Sequence, residues 1–383
     1  MQSLINRAGW VIAGLVSLVA LAAVAGIVHG GPLDPPGAPA STAGVLRPGT
    51  PITALPFTIS QSGNYYLTGN LSMATTGVGI TVGVSNVTLD LGGFTIDGAH
   101  QGSAGVYIPP QFNGFVLHAI TVRNGMAQNW TGAGFEFGSV DTLIADGLQA
   151  NNNQTGINIE NGTLTHCAAF GNSGAGVAAR ATSISDCTAK NNQGNGFSLT
   201  DYSELRTCTA TGNTPADIDT FASTVDGCTV NGGTYGITVG FNSQVRNNTV
   251  SFTDSDGIRV ASPSGSGDSL ITENTVGDAG GQGLASGIYV QTGNNLVSRN
   301  HVTLTNGPGI NVVGSFNTID ENSTLDNSGI GIVAGGSKNT VVHNNSLGNV
   351  NTSSSTNYQV AAGNNYGGVT AAASGTNPWS NTQ

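Results

Sequence analysis

The chain has 383 residues, of which only 8% are charged and 58 are glycine, and its formal net charge is −11. So few charges and so many glycines exclude a helical protein with ion-paired surfaces and favour an all-β fold. The negative charge also argues against nucleic acid as a partner.

Residues 1–25 are predicted to be a signal peptide. Arg7 precedes a long apolar segment, and the Ala-Val-Ala sequence ending at Ala25 has the small-x-small form that a signal peptidase cleaves. The apolar residues 8–28 are also numerous enough to span a bilayer, so an uncleaved N-terminal anchor is the alternative. Both interpretations predict an exported protein, secreted or at the cell surface, which contacts a membrane only through this segment if it is uncleaved.

The next segment, residues 26–51, is rich in proline, glycine and small residues and is predicted to be a spacer. Folded sequence is expected over residues 52–350, with residues 52–77 as an N-terminal cap. The Ser/Asn-rich residues 351–383 are expected to form a C-terminal cap or tail.

From residue 78 onward the sequence repeats with a period of about 20 to 27 residues. Each unit opens with glycine and alternating apolar residues, as in "GINI", "GFSL", "GITV", "GIRV", "GIYV" and "GINV". Alternation over three to five residues predicts short strands, and the Asn/Gly segments between them predict tight turns. Such a unit cannot bury its apolar side alone, so the units must stack. The sequence therefore predicts an all-β, single-stranded parallel β-helix, a solenoid of about a dozen rungs with capped ends.

A second element of each unit carries a cysteine or an asparagine at one fixed position, which predicts a ladder along the solenoid. Its members are Cys167, Cys187, Cys208, Cys228, Asn248, Asn274, Asn300, Asn322 and Asn345. Stacked asparagine amides can hydrogen-bond to one another, and a cysteine fills a similar space. Stacked reduced thiols are preferred, because parallel Cβ vectors on neighbouring rungs are too far apart for a relaxed disulfide. Disulfides are the alternative, since export and an even cysteine count favour pairing. A thiolate metal site is disfavoured because there is no CxxC pair.

These repeats, with "LPFTISQSGNYYLTGNLS" before them and "NPWSN" after them, resemble the right-handed parallel β-helix proteins of the pectate-lyase-like superfamily. They look most like its secreted bacterial branch of carbohydrate-binding and sugar-processing proteins. The resemblance covers about residues 52 to 380. It implies a right-handed solenoid and a polysaccharide partner, but the fold alone does not specify an activity.

The best-known catalytic signatures of that superfamily are absent. The sequence contains none of the Asn-Thr-Asp, Asp-Asp, Gly-His-Gly and Arg-x-Lys motifs of polygalacturonase-like enzymes, nor the Asp-Pro-His-Asp of alginate epimerases, nor the pectate-lyase pattern. Removing residues 1–25 would take away only Arg7 and leave a net charge of about −12. A neutral glycan is therefore expected to bind more readily than a polyanionic one.

One outward position of the opening strand is expected to form a solvent-facing column. Its members are Thr81, Tyr107, Glu136, Asn158, Ala178, Ser198, Asp219, Thr238, Arg259, Tyr289, Asn311 and Val333. Asp217 and Asp219 lie two positions apart, so they are expected on one side of a strand at a separation suited to an inverting glycosidase. The alternative is that they keep a surface strand soluble. Arg259, Tyr289 and Asn311 are the candidate substrate-binding residues, because two longer rungs close to Arg259 and Tyr289 are expected to wall a groove.

No cofactor and no metal site are expected. Asp-Ser-Asp-Gly at residues 254–257 is similar to part of a calcium loop, but it lacks the remaining oxygen ligands and is expected to be a solvated turn. Two functions follow from the sequence. The first is an exported protein that binds polysaccharide along its parallel-strand face. Whether it also processes the polysaccharide is left open; if it is an enzyme, a hydrolase or lyase is expected. The second is a non-catalytic structural or adhesion rod at the cell surface.

Overall fold

The computed structural model describes residues 48–383 apart from 111–115, 262–266, 282, 284, 351–356 and 371–379. All regular structure in these residues is β, and the strands stack in parallel as the rungs of a right-handed solenoid. The prediction of a parallel β-helix is thus confirmed. The predicted signal peptide and nearly all of the predicted spacer lie outside the described residues. Within the described residues, no helix is long and apolar enough to span a membrane.

One face of the solenoid, the front sheet, has fourteen parallel strands. They are β2 (Phe57–Ile59), β5 (Gly77–Val82), β8 (Gly102–Ile108), β10 (Ala133–Phe137), β12 (Thr155–Glu160), β15 (Val177–Arg180), β18 (Phe197–Thr200), β21 (Ala216–Thr220), β24 (Tyr235–Val239), β27 (Ile258–Val260), β30 (Ile288–Val290), β33 (Ile310–Val312), β36 (Ile332–Ala334) and β39 (Tyr358–Val360).

The rest of the wall, the back sheet, has 28 strands and bends around one corner of the solenoid. They are β1 (Thr50–Ile52), β3 (Gly63–Leu67), β4 (Leu71–Ser72), β6 (Val87–Asp90), β7 (Thr95–Asp97), β9 (His118–Gln128), β11 (Asp141–Asn151), β13 (Gly162–Thr165), β14 (Ala168–Phe170), β16 (Ser183–Ser185), β17 (Thr188–Lys190), β19 (Glu204–Arg206), β20 (Thr209–Thr211), β22 (Thr224–Asp226), β23 (Thr229–Asn231), β25 (Gln244–Arg246), β26 (Thr249–Ser251), β28 (Leu270–Thr272), β29 (Thr275–Gly277), β31 (Leu296–Ser298), β32 (His301–Thr303), β34 (Thr318–Asp320), β35 (Ser323–Leu325), β37 (Thr340–Val342), β38 (Asn345–Leu347), β40 (Asn365–Tyr366), β41 (Val369–Thr370) and β42 (Asn381–Thr382).

Alternation along each strand places one set of side chains in a continuous core. On β12, for example, Ile157 and Ile159 are buried while Asn158 points outward. The same pattern recurs on every rung, so the core is a stack of aliphatic columns. Each rung covers the apolar surface of its neighbour, which explains why units this short are stable only together.

Three corners connect the strands of a rung. The first follows a front strand, the second separates the two back strands, and the third leads into the next front strand. At the second corner the predicted ladder is present from Cys167 to Asn322 as expected. The backbone N–H and the side-chain amide of Asn274 both donate to Oδ1 of Asn300, at 3.0 Å each. Asn300 donates to Asn322 in the same way.

The prediction of Asn345 as the last member of the ladder is wrong by one residue. Asn344 accepts from Asn322 at 2.9 Å and is buried, whereas Asn345 starts β38 and is exposed. Because strand side chains alternate, a shift of one residue moves a side chain from the core to the surface. The column ends at Asn381, whose Oδ1 accepts from Asn344 at 2.9 Å.

The four cysteines are unpaired and buried, as the preferred interpretation predicted. Their sulfur atoms do more than fill space, because those of Cys167, Cys187 and Cys208 accept the backbone hydrogen bond that an asparagine Oδ1 would accept. The backbone N–H groups of Cys167 and Cys187 donate to the sulfur atoms of Cys187 and Cys208, at 3.3 Å each. Cys228 then donates to Oδ1 of Asn248 at 2.8 Å, which joins the thiol and amide parts of the column.

The other two corners contain similar columns that the sequence analysis did not identify. The first-corner column consists of Thr182, Ser203, Ser223, Ser243, Ser269, Asn295, Asn317, Asn339 and Asn364. The third-corner column consists of Asn153, Asn172, Asn192 and Asn213, and later of Thr305, Asn327 and Asn349. These polar side chains satisfy the backbone groups that the turns would otherwise leave unpaired in the interior.

Both terminal segments continue the stack. β1 pairs with β3, and β2 pairs with β5, so strands occupy much of the segment expected as an N-terminal cap. In the C-terminal segment, Asn357 accepts from Asn349 of the third-corner column, Asn364 accepts from Asn339 of the first, and Asn381 accepts from Asn344 of the second. This segment therefore supplies an acceptor to each of the three ladders.

Candidate functional site

The front sheet presents the predicted outward column in full register. Strand pairing places the twelve predicted residues, from Thr81 to Val333, next to one another in order. All twelve side chains are partly exposed. We call this surface the front face; its side chains repeat about every 4.8 Å along the axis.

The most structured part of the front face is centred on Arg259. Its guanidinium carbon lies 5.1 Å from the ring centroid of Tyr235 and 5.1 Å from that of Tyr289. One guanidinium nitrogen donates to Oδ2 of Asp256 at 3.0 Å. An arginine held between two aromatic rings is a rigid group, and its remaining N–H groups can donate to a ligand.

Asp256 belongs to the Asp-Ser-Asp-Gly segment that was expected to be a solvated turn, and for this residue the expectation is wrong. Its side chain is 7% exposed, and its Oδ1 accepts from the backbone N–H of Ser286 at 2.9 Å. The pairing with Arg259 offsets the cost of burying its charge. Asp256 thus positions the arginine and faces away from solvent.

The structure does not place Asp217 and Asp219 on one face, so the expected geometry of the carboxylate pair is wrong. Asp219 lies on the front face and accepts a hydrogen bond from the hydroxyl of Thr238. Asp217 is fully buried in the third corner, where its Oδ1 accepts from the backbone N–H of Asn213 at 2.8 Å and from its side-chain amide at 2.7 Å.

Asp217 points inward because of Gly233, which lies one rung further on. This residue stands where the third-corner column would have its next side chain, and a Cβ built there would lie 3.0 Å from Oδ2 of Asp217. The carboxylate therefore replaces the missing ladder side chain. Burial raises the pKa of Asp217 to about 6 despite the hydrogen bonds from Asn213, which lower it.

The remaining predicted binding residue, Asn311, pairs in register with Tyr289 on one side and Val333 on the other. The structure therefore brings together Arg259, Tyr289 and Asn311 on adjacent strands. Sequence reasoning missed Tyr235 and Asp256. The only sequence signal for Tyr235 was its position directly before the glycine that opens its unit. The pairing of Asp256 with Arg259 depends on the conformation of the arginine side chain, which the sequence does not specify.

A second feature of the front face lies nearer its amino-terminal end. A shallow groove of about 270 Å³ is lined by Glu136, Asn158, Ala178, Arg180 and Ser198, among others. The side-chain amide of Asn158 donates to Oε1 of Glu136 at 2.7 Å. The small side chains of Ala178 and Ser198 leave room for the groove, and Pro110 from the connection after β8 also lines it.

Two family models match the chain. Residues 203–383 match the family described as periplasmic copper-binding protein (NosD), and residues 76–222 match the family described as right-handed β-helix region. Each match covers less than half of the chain, and both agree with the parallel stacking of the strands. The chain is a right-handed parallel β-helix protein. No curated protein matches its sequence.

Several solved β-helix structures resemble this β-helix protein in overall fold. The A-module of a mannuronan C-5 epimerase from Azotobacter vinelandii is 15% identical, with a TM-score of 0.49 over 76% of this chain and 89% of that one. A tailspike protein of an E. coli bacteriophage is 13% identical, with a TM-score of 0.44 over 75% and 60% of the two chains. DFA-IIIase from Arthrobacter chlorophenolicus is 12% identical, with a TM-score of 0.43 over 76% and 86%. Similarity at this level says nothing about what this β-helix protein binds.

The described residues of this β-helix protein do not fit a copper site, although one matching family is described as copper-binding. Among them, no three His, Cys, Asp or Glu side chains are grouped closely enough to hold a metal ion. The thiol of Cys208 lies in the core, where its interaction with the thiol of Cys187 and its burial raise its pKa to about 12. A thiol that keeps its proton is a poor metal ligand. His343 contacts the carboxylate of Asp320 at 2.7 Å, on the outside of the back sheet.

Proposed function

We propose that this protein binds a neutral polysaccharide along its front face, with the group Tyr235, Arg259 and Tyr289 as the principal contact. The observation that carries the proposal is the guanidinium of Arg259 held between two tyrosine rings on a partly exposed surface. Aromatic rings bind the apolar faces of sugars, and guanidinium N–H groups donate to sugar hydroxyls.

The register of the front face supports a chain-like ligand. Asp219, Thr238, Arg259, Tyr289 and Asn311 follow one another on five adjacent strands, which cover about 19 Å along the axis. Their hydroxyl, amide, carboxylate and guanidinium groups can exchange hydrogen bonds with successive sugars. A regular column of such groups suits a repeating polymer better than a single small molecule.

The charge balance favours a neutral glycan. Asp256 already compensates the positive charge of Arg259, and Glu136 and Asp219 add negative charge to the same face. A polyanionic chain would therefore meet no net attraction, in a protein whose overall formal charge is −11. Cleavage by an Asp217–Asp219 pair forms no part of the proposal, because Asp217 points into the core.

The test is a titration with soluble neutral polysaccharides and their hexasaccharides, followed by variants for any glycan that binds. Tyr289→Ala is expected to weaken binding of the hexasaccharide at least tenfold, because it removes a ring and frees Arg259 from one side. Tyr107→Ala is the matched control. It removes the same side chain from the same column, eight strands away and about 38 Å along the axis, beyond the reach of a short ligand.

Equal losses in the two variants, or no loss in Tyr289→Ala, would remove the site at Arg259. If no neutral glycan binds the unmodified protein, the alternative of a structural rod is favoured. Export and location at the cell surface remain proposals that rest on residues 1–25.

A further inference from the structure

The first corner carries an additional residue in one rung. At this corner the neighbouring rungs have a single left-handed residue, such as Ala181 with φ of 48° or Ala222 with φ of 48°. The rung between them has two in succession, Asp201 with φ of 49° and Tyr202 with φ of 67°. This insertion explains why Cys187 and Cys208 are 21 residues apart while the flanking cysteine pairs are 20 apart.

The side chain of the inserted tyrosine, Tyr202, is not packed in the core and so does not stabilise the fold by burial. Tyr202 is 81% exposed, the highest exposure among the large hydrophobic side chains of the described residues. A bulky side chain at positive φ is strained, and alanine or asparagine occupies the equivalent place in nearby rungs. Arg180 holds the insertion in place, because its Nε donates to Oδ2 of Asp201 at 2.6 Å. An anchored, strained and exposed aromatic ring indicates a role in binding.

Depressions in the back sheet lie on both sides of this ring. The one towards the amino-terminal end has a volume of about 570 Å³ and is lined by Ile144, Thr163 and Ser183, among others. The one towards the carboxyl-terminal end has about 370 Å³ and is lined by Thr224 and Gln244, among others. Tyr202 and Glu204 line both depressions.

The two depressions form one groove. Its floor is a register column that runs from strand to strand without a break, through Ile144, Thr163, Ser183, Glu204, Thr224 and Gln244. These six strands cover about 24 Å along the axis. The floor offers hydroxyl and amide groups, and its one carboxylate, that of Glu204, is paired with Arg206.

We propose that this groove is a second glycan-binding site, on the back sheet and separate from the front face. A neutral oligosaccharide lies along the axis, with one sugar ring stacked on Tyr202 and its hydroxyls bonded to Thr163, Ser183 and Gln244. The ligand is neutral because the nearby charges of Asp201, Glu204 and their arginine partners are already compensated. Ile144 is the one apolar side chain of the floor column, and the others apart from Glu204 offer the hydroxyl and amide groups that sugar hydroxyls can bond.

The experiment titrates cellohexaose, maltohexaose and mannohexaose into the full chain and into three variants, Tyr202→Asn, Phe316→Ala and Tyr289→Ala. Tyr202→Asn is expected to weaken binding of at least one hexasaccharide tenfold or more, while the thermal midpoint stays the same or rises. Asparagine tolerates positive φ, so a fall in affinity without a fall in stability separates a binding role from a structural one. Saturation-transfer NMR on the same samples would show whether the ligand contacts an aromatic ring.

Phe316→Ala is the matched control. Phe316 is also an aromatic residue at positive φ in the first corner, 56% exposed, but its ring is covered by the ammonium group of Lys338 at 4.8 Å. It does not line the groove, so its removal is expected to change the affinity less than twofold.

The outcomes separate the two sites. Affinity lost in Tyr202→Asn but kept in Tyr289→Ala supports the back-sheet groove and contradicts the front-face proposal for that sugar. Affinity lost in Tyr289→Ala but kept in Tyr202→Asn overturns the back-sheet groove alone. A loss of affinity in Phe316→Ala equal to that in Tyr202→Asn also overturns it. Failure of all three hexasaccharides to bind the unmodified protein overturns this inference.

Discussion

The carboxylate of Asp217 occupies a position where the third-corner column has no side chain of its own. It accepts two hydrogen bonds from Asn213, but its Oδ2 has no hydrogen-bond partner in the described structure. A buried group of this kind favours its protonated form, which is why the pKa rises from the ordinary value of 3.8 to about 6. The stability of the protein should therefore depend on the ionisation of this one residue.

The folded protein holds the proton of Asp217 up to about pH 6, whereas the unfolded chain releases it near pH 4, so this group lowers stability as the pH rises between those values. Asp217→Asn keeps the Oδ1 acceptor and removes the charge. We expect it to raise the free energy of unfolding at pH 7.5 by on the order of 2–3 kcal/mol and to change it little at pH 4. Urea unfolding at both pH values provides the measurement.

Asp219→Asn is the control, because the Asp219 carboxylate lies on the front face beside Thr238. A gain of stability that is the same at pH 4 and pH 7.5 would contradict the assignment of the effect to the buried charge.

Single residues also show where sequence reasoning stops. The repeat placed Asp219, Arg259, Tyr289 and Asn311 correctly, because strand alternation decides which way each side chain points. Asp217 does not follow strand alternation. Although it lies two residues from the outward-facing Asp219, its side chain points inward, where Gly233 on the next rung has no side chain to fill the column. Such a gap is visible only when the third corner is already aligned.

At the scale of one ladder, cysteine and asparagine accept the same backbone hydrogen bond, but asparagine makes more hydrogen bonds in all. Both accept a hydrogen bond from the backbone N–H of the preceding rung, at 3.3 Å for sulfur and close to 3.0 Å for Oδ1. Only asparagine adds a second bond from its side-chain amide to the next rung. The amide part of the column should therefore be the more sensitive to substitution.

Asn300→Leu is expected to destabilise the protein by on the order of 3 kcal/mol, whereas Asn311→Leu should change stability by less than about 0.5 kcal/mol. The first change leaves the backbone N–H of Asn274 and one N–H of its side-chain amide without acceptors in the interior. The second replaces a partly exposed side chain of the front face. Denaturant melts of the two variants compare them directly, and equal midpoints would contradict the inward and outward assignments.

The second-corner ladder was predictable because cysteine and asparagine mark it on almost every rung. At its end, two adjacent asparagines, Asn344 and Asn345, both fit the pattern, and only the pairing of β38 selects the first. The first-corner column was not recognised because its residue type changes along the axis, from threonine to serine and then to asparagine. In a turn these three residues are also common for purely local reasons, so their type alone does not reveal stacking.

For the whole molecule, each rung touches only its neighbours, so stability is shared along the axis rather than through a single centre. The C-terminal segment contributes to all three ladders through Asn357, Asn364 and Asn381. Loss of one of these closing residues should loosen the rungs beside it and leave distant rungs unchanged.

Asn381→Leu tests this expectation. It removes the acceptor of the backbone N–H of Asn344 and one of the acceptors of its side-chain amide, and it removes the amide that donates to the carbonyl of Val341. We expect amide hydrogen exchange in β37 and β38 to become at least tenfold faster, with no change in β13 to β17. Asn365→Leu, which alters an exposed side chain of β40, is the control. Faster exchange along the entire chain would contradict nearest-neighbour coupling.

In the three columns, the hydrogen bonds from a backbone N–H to a column side chain all have the same direction. In each column the N–H group of one rung donates to the side chain of the following rung, as from Asn248 to Asn274 and from Asn317 to Asn339. For these bonds the two ends of the solenoid are therefore different, because each rung presents a side-chain acceptor to the preceding rung and a backbone donor to the following one. Two copies placed end to end with twofold symmetry would bring like groups together, donor against donor or acceptor against acceptor. Association through the ends can continue these bonds only head to tail, and such a contact gives an open filament unless the copies close into a ring.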